Sequence, residues 1–413
     1  ELQEAINRAN HRYAYWDTFK YQPLPPEISK EEAWAYLRLM RMASSKTIPI
    51  VDKNNHPFSY WIPESLLKYI NEIDMGSGMI TSTNQPSFMS NREQYIVSSL
   101  MEEAIASSQL EGAATTRKVA KEMLRTGRKP VNKSEQMILN NWLAMKHLRA
   151  NKRTQLTPDF IREVHSIVTE KTLDDPATSG QFRTNKDDDI VVDYQGTTVH
   201  KPPKSDTLKD RLSALCAFAN EEKPWVHPVI KATILHFCIG YEHPFVDGNG
   251  RTARALLYWH LLSRRYWILE YLSISRYFLR APRQYVNAYV YSELDRGDLT
   301  YFLYFNLRAI RFALRDVRHY ILRKQQELSN ANKRLKSYTN LNSRQKALLH
   351  HALQHPEALY SIQGHRNSHG VAYDTARNDL LELEKRGMLK RQKQGKAFIF
   401  VPSETISEKL KNT

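Results

Sequence analysis

The stretch that most constrains this chain runs from His243 to Arg254 and lies between two apolar segments. Within it are one histidine, one aspartate, two glycines around an asparagine, and two arginines. Apolar residues recur every three or four positions in residues 230–241 before it and 255–262 after it, which predicts a helix on each side. The stretch is therefore predicted to be a polar loop that joins two buried helices.

The turn Gly248-Asn249-Gly250 favours an anion as its ligand. Glycines permit positive φ and add no side-chain bulk. A turn just before a helix points several N–H groups, and the positive end of the helix dipole, at one place. Arg251 and Arg254 add two guanidiniums in the first turns of the helix, which suits a polyphosphate better than a single carboxylate.

Asp247 and His243 extend this chemistry. Asp247 would repel bare phosphates, and a Mg²⁺ ion that bridges it to phosphate oxygens reconciles the two. His243 is the group in the stretch that exchanges a proton near neutral pH. Taken singly, a Gly-Asn-Gly is usually a plain turn and a His-Pro a helix terminator, so it is their combination and order that indicate a site.

The stretch resembles the signature of the Fic family, His-x-Phe-x-Asp/Glu-Gly-Asn-Gly-Arg-x-x-Arg, at every specified position. The resemblance implies a small all-helical core and the transfer of AMP from ATP to a Ser, Thr or Tyr hydroxyl of a protein. It implies His243 as the general base, Asp247 as the Mg²⁺ ligand and Phe245 as a core anchor. The implied phosphate-binding residues are Gly248, Asn249, Gly250, Arg251 and, for the γ-phosphate, Arg254.

A second motif lies upstream, on the predicted helix from Arg92 to Leu110. Ser107 and Glu111 are four residues apart and share one face of that helix, where composition alone predicts solvated side chains. The run from Ser107 to Gly112, however, resembles the family's inhibitory-helix pattern, Ser/Thr-x-x-x-Glu-Gly/Asn. The resemblance implies that Glu111 pairs with Arg254 and keeps the γ-phosphate from binding productively, because a carboxylate and a phosphate compete for the same guanidinium.

Two further segments carry site predictions. Two β-prone runs around Gly196 predict a hairpin at about 188–201, which the resemblance implies to be a flap that docks a target segment by strand addition. An ordinary surface hairpin is the alternative. Residues Ser275 to Leu294 are predicted as one helix on which Tyr285 and Tyr289 share a face. These tyrosines are candidates for an adenine pocket, and ordinary core packing is the alternative.

The fold predicted for the whole chain is mainly α. It comprises a helical N-terminal region at 1–90 and a Fic domain at 91–335. The Fic domain is an all-helical core with an inhibitory helix at about 95–112, a β-hairpin flap and a basic connector helix. Residues 340–413 are predicted as a winged-helix domain, from three helical segments followed by a two-stranded hairpin.

Charge points to anionic partners. The formal net charge is +16, which favours nucleotides or nucleic acid but also serves solubility. A cluster of basic residues on the late helix and wing of the last domain suits DNA phosphates. A protein-docking or dimerising winged helix with a solvated basic face is the alternative. The cluster comprises Lys385, Arg386, Lys390, Arg391, Lys393 and Lys396.

Cysteine content and hydropathy indicate a cytoplasmic protein. Cys216 and Cys238 both sit in apolar helical runs and are expected to be reduced. The sequence has no signal-peptide pattern and no apolar run near the length that spans a membrane. The leading hypothesis is an auto-inhibited protein adenylyltransferase that uses ATP and Mg²⁺. The alternative is a DNA-binding regulator in which the same core senses a nucleotide.

Overall fold

The computed structural model describes residues 1–82, 92–266, 272–337, 340–394 and 397–409. These ranges are mainly helical and hold three two-stranded antiparallel sheets, so the predicted fold class is confirmed. They divide into two compact units, of which the first comprises Glu1–Thr81 and Ile96–Leu314. None of the described helices is both long enough and apolar enough to cross a membrane.

The N-terminal part contains a hairpin that the sequence analysis missed. Residues 1–90 were predicted to be helical, but two strands lie between the third and fourth helices of this region. Ile48 and Ile50 alternate with exposed residues on the first strand and are buried, which is the period of a half-buried strand. The elements are α1 (Leu2–Arg12), α2 (Trp16–Phe19), α3 (Lys30–Ser44), β1 (Lys46–Val51), β2 (Pro57–Tyr60) and α4 (Glu64–Ser82).

Seven helices and a hairpin of the described chain surround the motif. The last two helices are its apolar flanks, and both are buried along almost their whole length. Each strand of the hairpin falls within the range predicted for it. The elements are α5 (Arg92–Leu110), α6 (Arg117–Thr126), α7 (Lys133–Ala150), α8 (Pro158–Thr169), β3 (Val192–Tyr194), β4 (Thr197–His200), α9 (Leu208–Asn220), α10 (Pro228–Glu242) and α11 (Asn249–Ser263).

The helix predicted at Ser275 to Leu294 is two helices, so that prediction was wrong. The chain forms α12 (Ser275–Arg280) and α13 (Pro282–Leu294). Pro282 has no N–H to continue the first helix, and its fixed φ suits the first position of a new one. By contrast, α14 (Thr300–Ser337) runs unbroken for 38 residues, because no glycine or proline interrupts it.

The second unit has its own core. It is formed mainly by the described residues after Leu314. Leu349, Leu380 and Phe400 are almost fully buried in its apolar cluster. Gly395 and Lys396, at the tip of the predicted wing, lie outside the described residues. The elements that follow α14 are α15 (Ser343–Gln354), α16 (Ile362–His369), α17 (Tyr373–Lys385), β5 (Leu389–Gln394), β6 (Ala397–Pro402) and α18 (Ile406–Lys409).

Candidate functional site

His243 is the residue at which α10 ends. Its backbone is left-handed, with φ 45° and ψ 56°, an uncommon conformation for a residue with a side chain. The buried Arg183 holds this conformation. Its Nε donates to the His243 carbonyl at 2.9 Å and its Nη2 to the Glu242 carbonyl at 3.3 Å. A cation at the carbonyl end of a helix satisfies free acceptors and complements the dipole.

The imidazole of His243 is neutral at physiological pH. Its pKa is lowered to about 4, mainly by burial, while the hydrogen bond to Gly240 and the charge of Glu111 oppose the shift. Nδ1 lies 3.4 Å from the Gly240 carbonyl oxygen, to which it donates when it carries the proton. That tautomer leaves Nε2 with a lone pair, so His243 is set up as a base.

The loop after His243 is closed by Asn249. Its Oδ1 accepts from the Phe245 N–H at 2.9 Å and its Nδ2 donates to the Phe245 carbonyl at 2.8 Å. Gly248 has φ 84° and precedes the first helical residue. A Cβ there would lie 2.5 Å from Cγ2 of Thr169, so a larger residue does not fit. The turn presents the N-terminal N–H groups of α11, the feature of a helix that attracts anions.

His165 supports the same loop, and the sequence analysis did not single it out. Its ring stacks on Phe245 with centroids 3.6 Å apart and planes 5° apart. Nδ1 accepts from the Gly180 N–H at 3.0 Å, so Nε2 carries the proton and donates to the Asp247 carbonyl at 2.8 Å. Burial lowers the pKa of His165 to about 4, which keeps this neutral tautomer near pH 7.

Asp247 is the only carboxylate that the motif places beside the turn. Its Oδ1 accepts from the Gly248 N–H, and its side chain is 57 % exposed. The described residues contain no group of three side chains arranged to hold a metal ion. Because Mg²⁺ is commonly held by one or two carboxylates together with substrate phosphates, this donor set fits an ion that a nucleotide brings with it.

Arg251 is buried and only partly satisfied. Its Nη1 donates to the Val168 carbonyl at 2.8 Å, and its Nη2 lies 3.7 Å from Oδ2 of Asp247. Its Nε has no hydrogen-bond partner among the described residues. Burying a charged donor without a partner is costly, so the Arg251 guanidinium keeps a donor that an acceptor such as a phosphate oxygen would satisfy.

The Arg254 side chain is 2 % exposed. It is contacted by two residues at the end of α5 and just beyond it. Its Nη2 donates to Glu111 Oε1 at 2.8 Å and to the Ser107 carbonyl at 3.0 Å, while its Nε donates to Ser107 Oγ at 2.9 Å. Burial would raise the pKa of Glu111, but the Arg254 guanidinium outweighs it and the net pKa is lowered. The carboxylate is therefore ionised and occupies the guanidinium.

Glu111 also reaches the turn itself. A Cβ on Gly250 would lie 2.3 Å from Glu111 Oε1, so the carboxylate lies directly over the first residues of α11. Helix α5 ends at Leu110, one residue before Glu111, and Gly112 follows with φ 88°. The structure thus brings together Ser107, Glu111, Arg254 and the turn, although more than a hundred residues separate them in sequence.

Tyr285 and Tyr289 pack against the helix that carries His243. The Tyr285 hydroxyl lies 2.7 Å from Nε2 of His236, and the Tyr289 hydroxyl donates to the His236 carbonyl at 3.3 Å. Tyr285 also stacks on Phe278 at 4.7 Å. Both rings are half-buried in this aromatic cluster, so an adenine pocket at these residues stays a prediction.

The flap hairpin is tied to the end of α10. His200, the last residue of β4, has Nε2 2.7 Å from the Tyr241 carbonyl and Nδ1 2.8 Å from Glu293. Thr197 and Thr198 are exposed. The hairpin is therefore anchored next to His243 at one end and open to solvent at the other.

The described fold is similar to that of solved structures of Fic-family proteins. A Fic family protein from Desulfovibrio desulfuricans G20 superimposes with a TM-score of 0.56 at 17 % identity, over 84 % of this chain and 98 % of that one. Fic-1 of C. elegans gives 0.53 at 17 % identity, over 77 % and 84 %.

Sequence comparison agrees with the fold. Residues 155–261 match the Fic/DOC family, which places a Fic domain in that part of the chain. The protein adenylyltransferase Fic of Drosophila virilis is 33 % identical over 147 residues, which are 35 % of this chain and 28 % of that protein. The protein of the same name from Drosophila melanogaster is 32 % identical over the same shares. The aligned region spans less than a third of these relatives.

Proposed function

We propose that this protein is an adenylyltransferase that moves AMP from ATP to a Ser, Thr or Tyr hydroxyl of a protein, and that Glu111 holds it inactive. The observation that carries the proposal is that a neutral His243 precedes the N-terminus of α11, where the Glu111 carboxylate binds the guanidinium of Arg254. Relatives named protein adenylyltransferase support the reaction class.

In the proposed reaction His243 Nε2 accepts the proton of the target hydroxyl. The hydroxyl oxygen bonds to the α-phosphorus, the bond from that phosphorus to the bridging oxygen breaks, and pyrophosphate leaves. The turn and Arg251 hold the phosphates, and Asp247 would hold Mg²⁺, which would neutralise phosphate charge. Positioning and electrostatic stabilisation of this kind supply most of the rate in phosphoryl transfers.

Inhibition follows from competition for Arg254. Its guanidinium binds the γ-phosphate only when the Glu111 carboxylate has left it, because both ligands require the same donors. The exposed Thr197 and Thr198 of the flap offer a strand edge along which a target segment can align. The target protein is thereby expected to bind in an extended conformation beside His243.

Two labelled forms of ATP test the reaction class. The Glu111→Gly variant incubated with ATP labelled at the α-phosphate should become radioactive, whereas ATP labelled at the γ-phosphate should leave it unlabelled. His243→Ala in the same background is the control and should abolish the labelling. Transfer of the γ-label would identify a kinase reaction instead and would contradict the proposal.

A second candidate function concerns the second unit by itself. Lys390 and Lys393 are exposed on β5, whereas Arg391 lies 3.2 Å from Glu384 and Arg386 lies 2.9 Å from Glu382. Neither lysine forms an ion pair with a described residue, which favours binding of duplex DNA, with the Fic core as a nucleotide sensor. Charge reversal of Lys390, Arg391 and Lys393 should then abolish a salt-dependent gel shift. No retardation of the wild-type protein at low salt would exclude this function.

A further inference from the structure

A cavity of about 520 Å³ lies within the first unit and shares no residue with the motif at 243–254 or with the flap. Gln284, Asn287, Ala288 and Tyr291 line it and lie three or four apart on α13, so they form one face of that helix. Tyr285 and Tyr289, which contact His236, project from other positions. The volume is in the range of small-molecule sites.

Aromatic rings form much of the wall. Tyr13, Tyr301 and Tyr304 line the cavity, and the rings of Tyr13 and Tyr304 stack with centroids 5.5 Å apart. Their hydroxyls are already engaged: Tyr13 donates to Asp298, and Tyr301 donates to Asp295 at 2.7 Å. Tyr13 and Tyr301 are almost fully buried, so the ring surface that a ligand can pack against belongs to the half-buried Tyr291 and Tyr304. Such a surface favours a planar aromatic group.

The charges that line the cavity are of one sign. No aspartate or glutamate is among its lining residues, whereas Arg12 and Arg308 are. Within the described ranges, neither Arg12 nor Arg308 forms an ion pair with a carboxylate. Arg311, one turn further along α14, is paired with Glu72. Two guanidiniums without a counter-charge beside an aromatic wall suit an anion, and a phosphate best.

Two amides supply the hydrogen bonds that a base edge needs. Gln284 Oε1 accepts from Arg308 Nη2 at 2.6 Å, which leaves its NH₂ group as a donor. Asn287 Nδ2 donates to the Tyr291 hydroxyl at 2.9 Å, which leaves its carbonyl oxygen as an acceptor. A donor and an acceptor one turn apart can read one edge of a purine, because adenine and guanine each present both kinds of group.

We propose that this cavity is a second ligand site, distinct from the transfer site, and that it takes a nucleoside monophosphate. The base packs on the tyrosine rings and pairs with the amides of Gln284 and Asn287. The phosphate is bound by Arg12 and Arg308. The proposal stands on this cavity alone and does not depend on adenylyl transfer.

Photoaffinity labelling with azido-AMP tests it in the full chain. Two tryptic peptides, residues 13–20 and 297–308, carry cavity tyrosines and none of the motif. We expect both to be labelled, in the wild type and equally in His243→Ala. Excess AMP should suppress the labelling, and inorganic phosphate should not. Because the readout is the labelled peptide, failure of this site and failure of the transfer reaction are distinguishable.

Charge variants complete the test. Arg12→Gln/Arg308→Gln should weaken AMP binding at this site about tenfold or more, as loss of two charge-assisted hydrogen bonds implies. Arg8→Gln/Arg283→Gln removes the same charge from α1 and α13 outside the cavity and should leave binding unchanged. Absence of label from both peptides, an equal effect of the two double variants, or equal competition by phosphate would each overturn the proposal.

Discussion

Glu111 Oε1 lies 2.8 Å from Arg254 Nη2. This contact links the residue that follows α5, which ends at Leu110, to α11, which begins inside the motif at Asn249. Ser107 contributes two more acceptors to the same guanidinium. Nε and Nη2 of Arg254 are thus held by Ser107 near the end of α5 and by Glu111 just after it. The stability of α5 in its place therefore sets how often Arg254 becomes free.

Glu103 anchors α5 and is predicted to control inhibition. Its buried carboxylate accepts from the Tyr258 hydroxyl at 2.8 Å and from the Ser275 N–H at 3.0 Å. In Glu103→Gln a neutral amide oxygen replaces a carboxylate oxygen as the acceptor of these bonds, and the NH₂ group replaces the oxygen that accepts from the Ser275 hydroxyl. This change should cost about 1–3 kcal/mol. We expect a lower denaturation midpoint and faster auto-modification than in the wild type.

The neighbouring Glu102 provides the matched control. It is paired with Arg117 and Lys121, whose side chains are 57 % and 37 % exposed. Loss of pairs with such exposed partners should change the stability by at most about 1 kcal/mol. Equal stability and equal auto-modification rates in Glu102→Gln and Glu103→Gln would show that Glu103 does not anchor the helix.

His165 should matter for the rate through the loop that it holds. In the Glu111→Gly background, His165→Ala removes the stack on Phe245 and the hydrogen bond to the Asp247 carbonyl. A small misplacement of the loop should lower kcat about tenfold or more. His319→Ala, at an exposed position of α14, should have no effect. An unchanged kcat in the His165→Ala variant would show that His165 does not position the loop.

The pH dependence should reflect the lowered pKa of His243. Since the pKa is about 4 and Glu111 raises it, removal of Glu111 shifts it further down. The base is then deprotonated throughout the range from pH 5 to 8. The kcat/KM of Glu111→Gly, which reports the free enzyme, should show no acid limb near pH 6.5. An inflection there would mean that His243 is solvated like a free histidine.

The parts of the site that are contiguous in sequence could be predicted from it. His243, Asp247, the turn and the two arginines lie within one stretch, and the spacing of Ser107 and Glu111 places them on one helix face. Arg183 and His165 could not be found in this way. Each acts on backbone carbonyls of the loop from far upstream, and no spacing rule links a side chain to such a carbonyl.

Two features of the fold were missed for local reasons. Pro49 interrupts β1 and proline argues against a strand, which hid the first hairpin. The register of that hairpin shifts between Thr47 and Val51, the kind of irregularity that accommodates it. The break between α12 and α13 was missed because helical periodicity continues across Ala281 and Pro282. Periodicity alone does not mark where one helix ends and another begins.

The most direct measurement is the intact mass of three proteins after incubation with ATP and Mg²⁺. The account predicts little or no added AMP on the wild type, extensive addition on Glu111→Gly, and none on Glu111→Gly/His243→Ala. Glu111→Gly that gains no more AMP than the wild type would contradict the central claim that this carboxylate holds Arg254 and keeps the site switched off.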